Sequence, residues 1–222
     1  AVIFQNIESK EIFIKEKIIK EKKCHVVNGS GIDLDYYYYC PIKEGKINFL
    51  LIARLLKEKG IFEYFQAAKK VKIQYPKVNF FILGPHDVSP DSISNEKFNS
   101  LLLERNVEYL GNSNNVRNFL QDCTVYVLPS YHEGIPRSVL EAMATGRPII
   151  TTNVIGCKET VIDGENGFLI PKADSEILAQ KMIWFIQNYD QCTKMGQNSR
   201  LLAEKIFDVK KINSNLLNIM GL

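Results

Sequence analysis

The sequence predicts an α/β protein built around a doubly wound parallel sheet, and three observations predict it. Between Ile47 and Ile170, short runs rich in β-branched and aromatic residues alternate with longer amphipathic stretches. The short runs lack the polar and apolar alternation of a half-exposed strand, so they read as strands buried on both faces, as parallel strands are. The stretches between them carry apolar residues at helical spacing, as in Ile61, Tyr64, Phe65, Ala68 and Val71. Alternation of this kind implies right-handed crossovers, with any ligand bound beyond the carboxyl ends of the strands.

The elements follow in order. Val2 to Phe4 reads as a short strand. A Lys/Glu-rich amphipathic helix comes next, with Ile7, Ile14 and Ile18 on one side and a basic stretch from Lys10 to Lys23, and then a strand at His25 to Val27. Asn28-Gly29-Ser30-Gly31 opens a loose linker through Lys46. Strands are expected at Ile47–Ala53, Val78–Leu83, Val107–Leu110, Thr124–Leu128, Pro148–Thr152 and Phe168–Ile170. The helix from Ile61 is stopped by Tyr75-Pro76, a second is marked by Phe98, Leu101 and Leu102, and a third opens at Pro136. Beyond Ile170 the chain reads as helical, with Asp174 as a start, a second helix ending near Phe207, and Asp208 capping a last helix through Met220.

Composition excludes several classes. Lys and Arg total 28 against 25 Asp and Glu, a net +3, which is too small a bias for a nucleic-acid partner. The longest apolar run, Phe49 to Ala53, is far short of the ~20 residues that cross a bilayer. Cys24, Cys40, Cys123, Cys157 and Cys192 are scattered, with no C-x-x-C pair, which favours reduced thiols in a cytoplasmic protein. His25, His86 and His132 lack partners at metal-binding helical spacing, so no structural metal is expected. The start, Ala1-Val2-Ile3, has no initiator Met and no secretory pattern, and reads like a chain entered midway.

Three post-strand loops hold the chemistry. In LPSYHEGIPRSVLEAMAT (Leu128 to Thr145) a buried strand enters a loop with Glu133 and Gly134, and a helix then opens at Pro136. Its free amides at Arg137, Ser138 and Val139, with the positive end of the helix dipole, suit an anion such as phosphate. Glu133 and Glu141 bracket that site, where sugar or ribose hydroxyls are natural partners for carboxylates. Surface positions fit the same two glutamates equally well. The loop after Ile47–Ala53 sets Arg54 and Lys59 at the sheet edge ahead of Gly60, two cations suited to a diphosphate. The third loop, Gly84-Pro85-His86-Asp87, offers a glycine for close backbone approach, with His86 and Asp87 as polar loop residues.

Together these segments resemble the retaining glycosyltransferases of family four, built on the GT-B fold. The match lies in ARLLKEKG (Ala53 to Gly60), FILG (Phe81 to Gly84), YLG (Tyr109 to Gly111), LPSYHEGIPRSVLEAMATGRPII (Leu128 to Ile150) and IGCKETVIDGENGFLIP (Ile155 to Pro171). NGSGIDL (Asn28 to Leu34) looks like the hinge between the two halves of these enzymes. The resemblance implies a Rossmann-like sheet that forms the carboxyl-terminal, donor-binding half. The implied divisions are 1–34 as the tail of an amino-terminal acceptor domain with its hinge, 35–207 as the nucleotide-sugar-binding domain, and 208–222 as a crossover helix.

It also implies roles. Arg54 and Lys59 would hold the donor diphosphate and neutralise it as it leaves. Glu133 would contact the transferred sugar, with the Gly134, Ile135 and Arg137 backbone around it. Ser138 and its neighbours would offer amides to phosphate, Glu141 would bind the ribose, and the base would lie near Gly84 and Tyr109 to Gly111. Glu133, Arg54 and Lys59 are thus the implied catalytic group, with donor positioning preferred for Glu133 over a nucleophilic role. No metal and no cofactor are implied beyond the nucleotide-sugar donor. The implied activity is transfer, with retention, from a UDP-sugar to a glycan or lipid-linked acceptor in bacterial surface polysaccharide assembly. Its setting would be the cytoplasm with peripheral contact at the inner membrane face, and the fragment alone would be inactive. The alternatives are a nucleotide-sugar-binding module without activity and a GT-B sugar-nucleotide epimerase. Pro85 after Gly84, and Arg137 where an apolar residue is commoner, depart from the family pattern. Among lesser features, Tyr36 to Tyr39 is expected to pack between segments, and the Lys10 to Lys23 helix to be a solvated face.

Overall fold

A computed structural model of the chain describes residues 1–45 and 47–222; Lys46, the end of the predicted linker, lies outside the described residues. The chain enters through a small βαβ unit. Strands β1 (Val2–Phe4) and β2 (Cys24–Val26) pair in parallel, joined by α1 (Ile7–Lys15). Asn6 caps α1, its side chain accepting from the Ser9 N–H at 2.8 Å. The helix stops at Lys15 instead of running on to Lys23, and Ile18 lies beyond its end. Lys17 turns left-handed (φ 56°), and the Ile18 N–H reaches back to the Phe13 carbonyl at 3.0 Å, a closure that ends helices. No residue of α1 is buried, so no packing rewards a further turn.

The main sheet has six parallel strands: β3 (Asn48–Ile52), β4 (Asn79–Leu83), β5 (Glu108–Tyr109), β6 (Val125–Leu128), β7 (Ile149–Thr152) and β8 (Gly167–Ile170), in spatial order β5-β4-β3-β6-β7-β8. Each lies within its predicted run to within a residue or two. Along β3, Phe49 and Leu51 join one apolar cluster while Leu50 and Ile52 join another, so both faces are covered. That is why these runs show no alternation.

Helices α2 (Ile61–Gln74), α3 (Asn95–Leu102), α4 (Arg117–Asp122), α5 (Arg137–Ala144), α6 (Ser175–Gln187), α7 (Tyr189–Leu202) and α8 (Val209–Met220) complete the layers. The predicted face of α2 is buried, and Asp174 and Asp208 cap α6 and α8 as expected, Asp174 accepting the Glu176 and Ile177 N–H groups at 3.0 and 2.9 Å and Asp208 the Lys210 N–H at 2.9 Å. Between α7 and α8 the chain makes a π-turn, Ala203–Phe207.

The described part of the linker has no helix or strand, yet it is pinned. Arg147, fully buried, donates to the Cys123 carbonyl at 2.8 Å and to the Cys40 carbonyl. Arg200 donates to the carbonyls of Tyr37 and Ala144, each at 2.8 Å. Of the tyrosine tract only Tyr37 is buried between segments; Tyr36 and Tyr38 are exposed, with the Arg117 guanidinium 4.7 Å from the Tyr36 ring centre. The chain runs outward from β3 through β4 to β5, then returns to the other side of β3 at β6. The reversal between β3 and β6 opens a crevice beyond their carboxyl ends.

Candidate functional site

Two loops meet at that reversal, one after β3 and one after β6. Gly60, in the left-handed region (φ 69°), makes the meeting possible: a Cβ there would stand 2.1 Å from the Pro129 carbonyl oxygen. The Tyr131 N–H donates to the Glu58 carbonyl at 2.7 Å, and the Tyr131 hydroxyl donates to Glu63 at 2.6 Å. A third loop closes one side. Gly84 (φ 151°) lies so near Ala53 that a Cβ would sit 1.9 Å from its carbonyl oxygen. Beneath, the buried Tyr126 hydroxyl donates to the Ile52 carbonyl at 3.1 Å and ties the two central strands together.

The loops enclose a cleft of about 330 Å³. Of the residues the sequence singled out, Arg54, Lys59, Gly84, Glu133, Arg137, Ser138 and Glu141 line it. Gly134 and Ile135 do not. They turn toward β1, where the Ile135 N–H donates to Gln5 Oε1 at 3.3 Å. Nor is the Val139 amide free, since it donates to the Pro136 carbonyl at 3.1 Å in the first turn of α5. Asn112, Ser113 and Val116 line the far side, just past the predicted Tyr109 to Gly111. The sequence signal for them was only their position in a post-strand loop. His132 is exposed and outside the cleft.

The cations are paired. Lys59 Nζ lies 2.8 Å from Glu133 Oε1, with both side chains largely shielded, and Ser130 Oγ donates to the same oxygen at 2.8 Å. Arg54 lies 2.7 Å from Asp87. The Ser89 N–H and side chain hold the Asp87 carboxyl below the usual carboxylate range, and Arg54 adds to this. Glu141 is buried on α5, 3.2 Å from Arg137 Nε. Burial pushes its carboxyl above the usual range, while Tyr37 and Arg137 pull it back. The cleft therefore carries alternating charges: Arg54, Lys59 and Arg137 against Asp87, Glu133 and Glu141. An incoming dianion finds donors already oriented, and must displace carboxylates to reach them. Cys157, behind the loop, is buried, which pushes its thiol up to about 11 and leaves it a poor nucleophile. Among the described residues no cluster of three or more His, Cys, Asp or Glu side chains is placed to hold a metal ion.

A family model described as "Glycosyl transferases group 1" matches residues 40–202. Among curated relatives, the N,N'-diacetylbacillosaminyl-diphospho-undecaprenol alpha-1,3-N-acetylgalactosaminyltransferase of Campylobacter jejuni is 31% identical over 210 residues, which cover 89% of this chain and 54% of the relative. The UDP-Gal:alpha-D-GlcNAc-diphosphoundecaprenol alpha-1,3-galactosyltransferase of Escherichia coli is 29% identical over 189 residues, 79% of this chain and 48% of the relative. Among solved structures, Anabaena HepE in complex with UDP superposes with a TM-score of 0.84 at 20% identity, over 99% of this chain and 63% of that one. The chain spans about half the length of the curated relatives it matches.

Proposed function

We propose that this chain, which belongs to the group 1 glycosyl transferases, forms the donor-binding half of a retaining transferase and takes a UDP-sugar in the crevice between β3 and β6. The observation that carries this reading is the convergence of Arg54, Lys59 and the opening turn of α5 on one cleft at the sheet's reversal. Arg54 and Lys59 bind the diphosphate, exchanging Asp87 and Glu133 for phosphate oxygens. The free amides of Arg137 and Ser138 add the field of the helix end. Glu141 accepts from the ribose hydroxyls, and the base lies toward Gly84, Asn112 and Ser113.

Once Lys59 turns to phosphate, Glu133 is released to contact the transferred sugar. As the glycosidic bond breaks, negative charge grows on the departing diphosphate, and donors already aimed at it lower the barrier. Arg54, Lys59 and the helix amides supply that charge, so the proposal contains no divalent metal and no cofactor. The acceptor attacks from the face the nucleotide leaves, which gives retention with Glu133 as a positioning group.

Residues 35–207 form the donor domain on this reading, 1–34 the end of the acceptor domain with its hinge, and 208–222 the crossover helix. The acceptor is a glycan or lipid-linked saccharide held by the portion of the relatives that this chain does not span. Two relatives whose names specify undecaprenol-diphosphate substrates support a lipid-linked acceptor at the inner membrane face. Among the described residues no helix is long and apolar enough to cross a membrane, and on the proposed reading contact with that face is peripheral.

Calorimetric titration with UDP, GDP and ADP tests the reading. UDP is expected to bind tightest, and Arg54→Ala and Lys59→Ala each to weaken it by roughly tenfold or more, the scale of a lost charge-assisted hydrogen bond. Nucleotide binding that survives both substitutions would show that the diphosphate lies elsewhere.

A further inference from the structure

The loop that carries Glu133 is gripped from outside the cleft by residues remote in sequence. Gln5, just past β1, accepts the Ile135 N–H at 3.3 Å. Gly134 makes room for that carboxamide, since a Cβ at 134 would stand 2.6 Å from Gln5 Oε1. Gly29, just past β2, packs on the Ile135 side chain, where a Cβ would come within 2.9 Å. From the opposite side Gly156 abuts the same backbone: its Cβ would fall 1.7 Å from the Gly134 carbonyl oxygen. The loop bearing Gly156 is itself tied to the first unit, Lys158 Nζ to Glu8 Oε1 at 2.6 Å. Residues 133–135 are thus held between two surfaces, one of them the entering βαβ unit and the other fastened to it.

The clamp bears on one part of the cleft. Among the described residues, the polar partners of Arg54, Lys59 and Glu141 all lie outside residues 1–27. Ile135, by contrast, sits between the Glu133 carboxylate and the amides of Arg137 and Ser138. Its N–H precedes the first turn of α5 and has no helical carbonyl to pair with, so the Gln5 carbonyl satisfies it. Where Gln5 sits therefore decides the tilt of the Gly134–Ile135 peptide plane, and with it the approach of Glu133.

We propose that Gln5 is a positioning residue for the transferred sugar, acting through the Ile135 amide to orient the Glu133 loop. This rests on the donor-binding reading and goes beyond it. It assigns to the unit ahead of the hinge a part in recognising the sugar, separate from the diphosphate and the ribose. A shift of that unit breaks the bond and relaxes the loop, so sugar recognition is coupled to how the first unit sits on the second.

The test compares affinities for UDP and for UDP-glucose, UDP-N-acetylglucosamine and UDP-N-acetylgalactosamine, taking the tightest of the three, in the parent chain and in Gln5→Met and Gln5→Glu. Methionine keeps the length and loses the acceptor, while glutamate keeps the acceptor. Gln5→Met is expected to leave UDP affinity unchanged and to shift the sugar-to-UDP affinity ratio by roughly three- to tenfold, the worth of one net hydrogen bond. Gln5→Glu is expected to hold the parent ratio. A ratio unmoved by methionine overturns the proposal. So does an equal shift in both variants, which would assign the effect to the Gln5 NH2 group instead. A parent chain that binds UDP but is indifferent to all three sugars overturns it as well. A parent chain that binds no UDP defeats the donor reading itself, a distinct result.

Discussion

On the proposed reading, the placement of Glu141 trades stability for recognition. Its carboxyl is buried on α5, and burial raises its pKa, opposed by Tyr37 and Arg137. A carboxyl whose folded pKa exceeds its unfolded value, about 4.3, holds its proton more tightly when folded. Its contribution to stability is therefore fully present below that unfolded value and is lost as pH rises through the raised folded one. Above that raised folded value the ionised Glu141 is a cost. Glu141→Gln is expected to leave the Tm at pH 7 equal or higher, with the gain shrinking toward pH 4, in melts recorded across that range. The same variant is expected to lose discrimination between UDP and its 2',3'-dideoxy analogue. A lower Tm at pH 7 would mean that the bonds to Arg137 and Tyr37 outweigh the burial. The sequence marked Glu141 as one of two glutamates bracketing the start of α5, but neither its burial nor Tyr37 beneath it was legible. Both depend on the linker crossing the back of α5, which the two arginines at 147 and 200 enforce. Partner choice was hidden likewise: Arg54 and Lys59 were visible as cations, whereas Asp87 and Glu133 become their partners only when three loops meet.

At the scale of elements, periodicity carried what was legible. The β3 run is apolar on both faces, and α2 repeats its buried side every three or four residues, so strand and helix each left a local trace. The end of α1 left none, because a helix without a buried face stops where its own backbone closes, here at Lys17. Gly60 was visible as the opening of α2, but its contact with Pro129 was not, since that contact joins loops about seventy residues apart. The contact predicts a sharp contrast between two glycines of similar φ. Gly60→Ala combines left-handed strain with a clash against backbone, and is expected to destabilise the chain by on the order of 2–4 kcal/mol and to weaken UDP binding by moving Lys59. Gly111 (φ 79°) faces open space, so Gly111→Ala carries the strain alone and is expected to cost about 1 kcal/mol. Urea unfolding of the two variants measures the difference. Equal midpoints would remove the loop contact from the account of how the cleft is held.

At the scale of the whole molecule, the two sheets are unequal. The six-stranded sheet is covered on both faces, whereas the βαβ unit leaves Ile7 59%, Ile12 53% and Ile18 64% exposed. A two-stranded unit with such a surface cannot be stable by its own burial, and here it is anchored through Gln5, Glu8 and the packing of Gly29 on Ile135. The cleft between β3 and β6, by contrast, is lined among the described residues by residues from 52–141. Binding and transfer should therefore separate. On the proposed reading, the donor's diphosphate needs only groups within this chain, while attack on the sugar needs an acceptor held in line, and orienting two reactants supplies a large share of such rate enhancements. This chain alone is expected to bind UDP with the affinity of the protein extended to the full length of its relatives, and to release UDP from the tightest nucleotide sugar only at a hydrolytic trickle. The extended protein is expected to turn over at least roughly a thousandfold faster with its acceptor, a modest part of the gain that orientation provides. A coupled assay of UDP release, run on both proteins with and without acceptor, decides the matter. Comparable turnover by the 222-residue chain would place the acceptor site within the two units described here, and would shift attention to the exposed face of α1 as part of it.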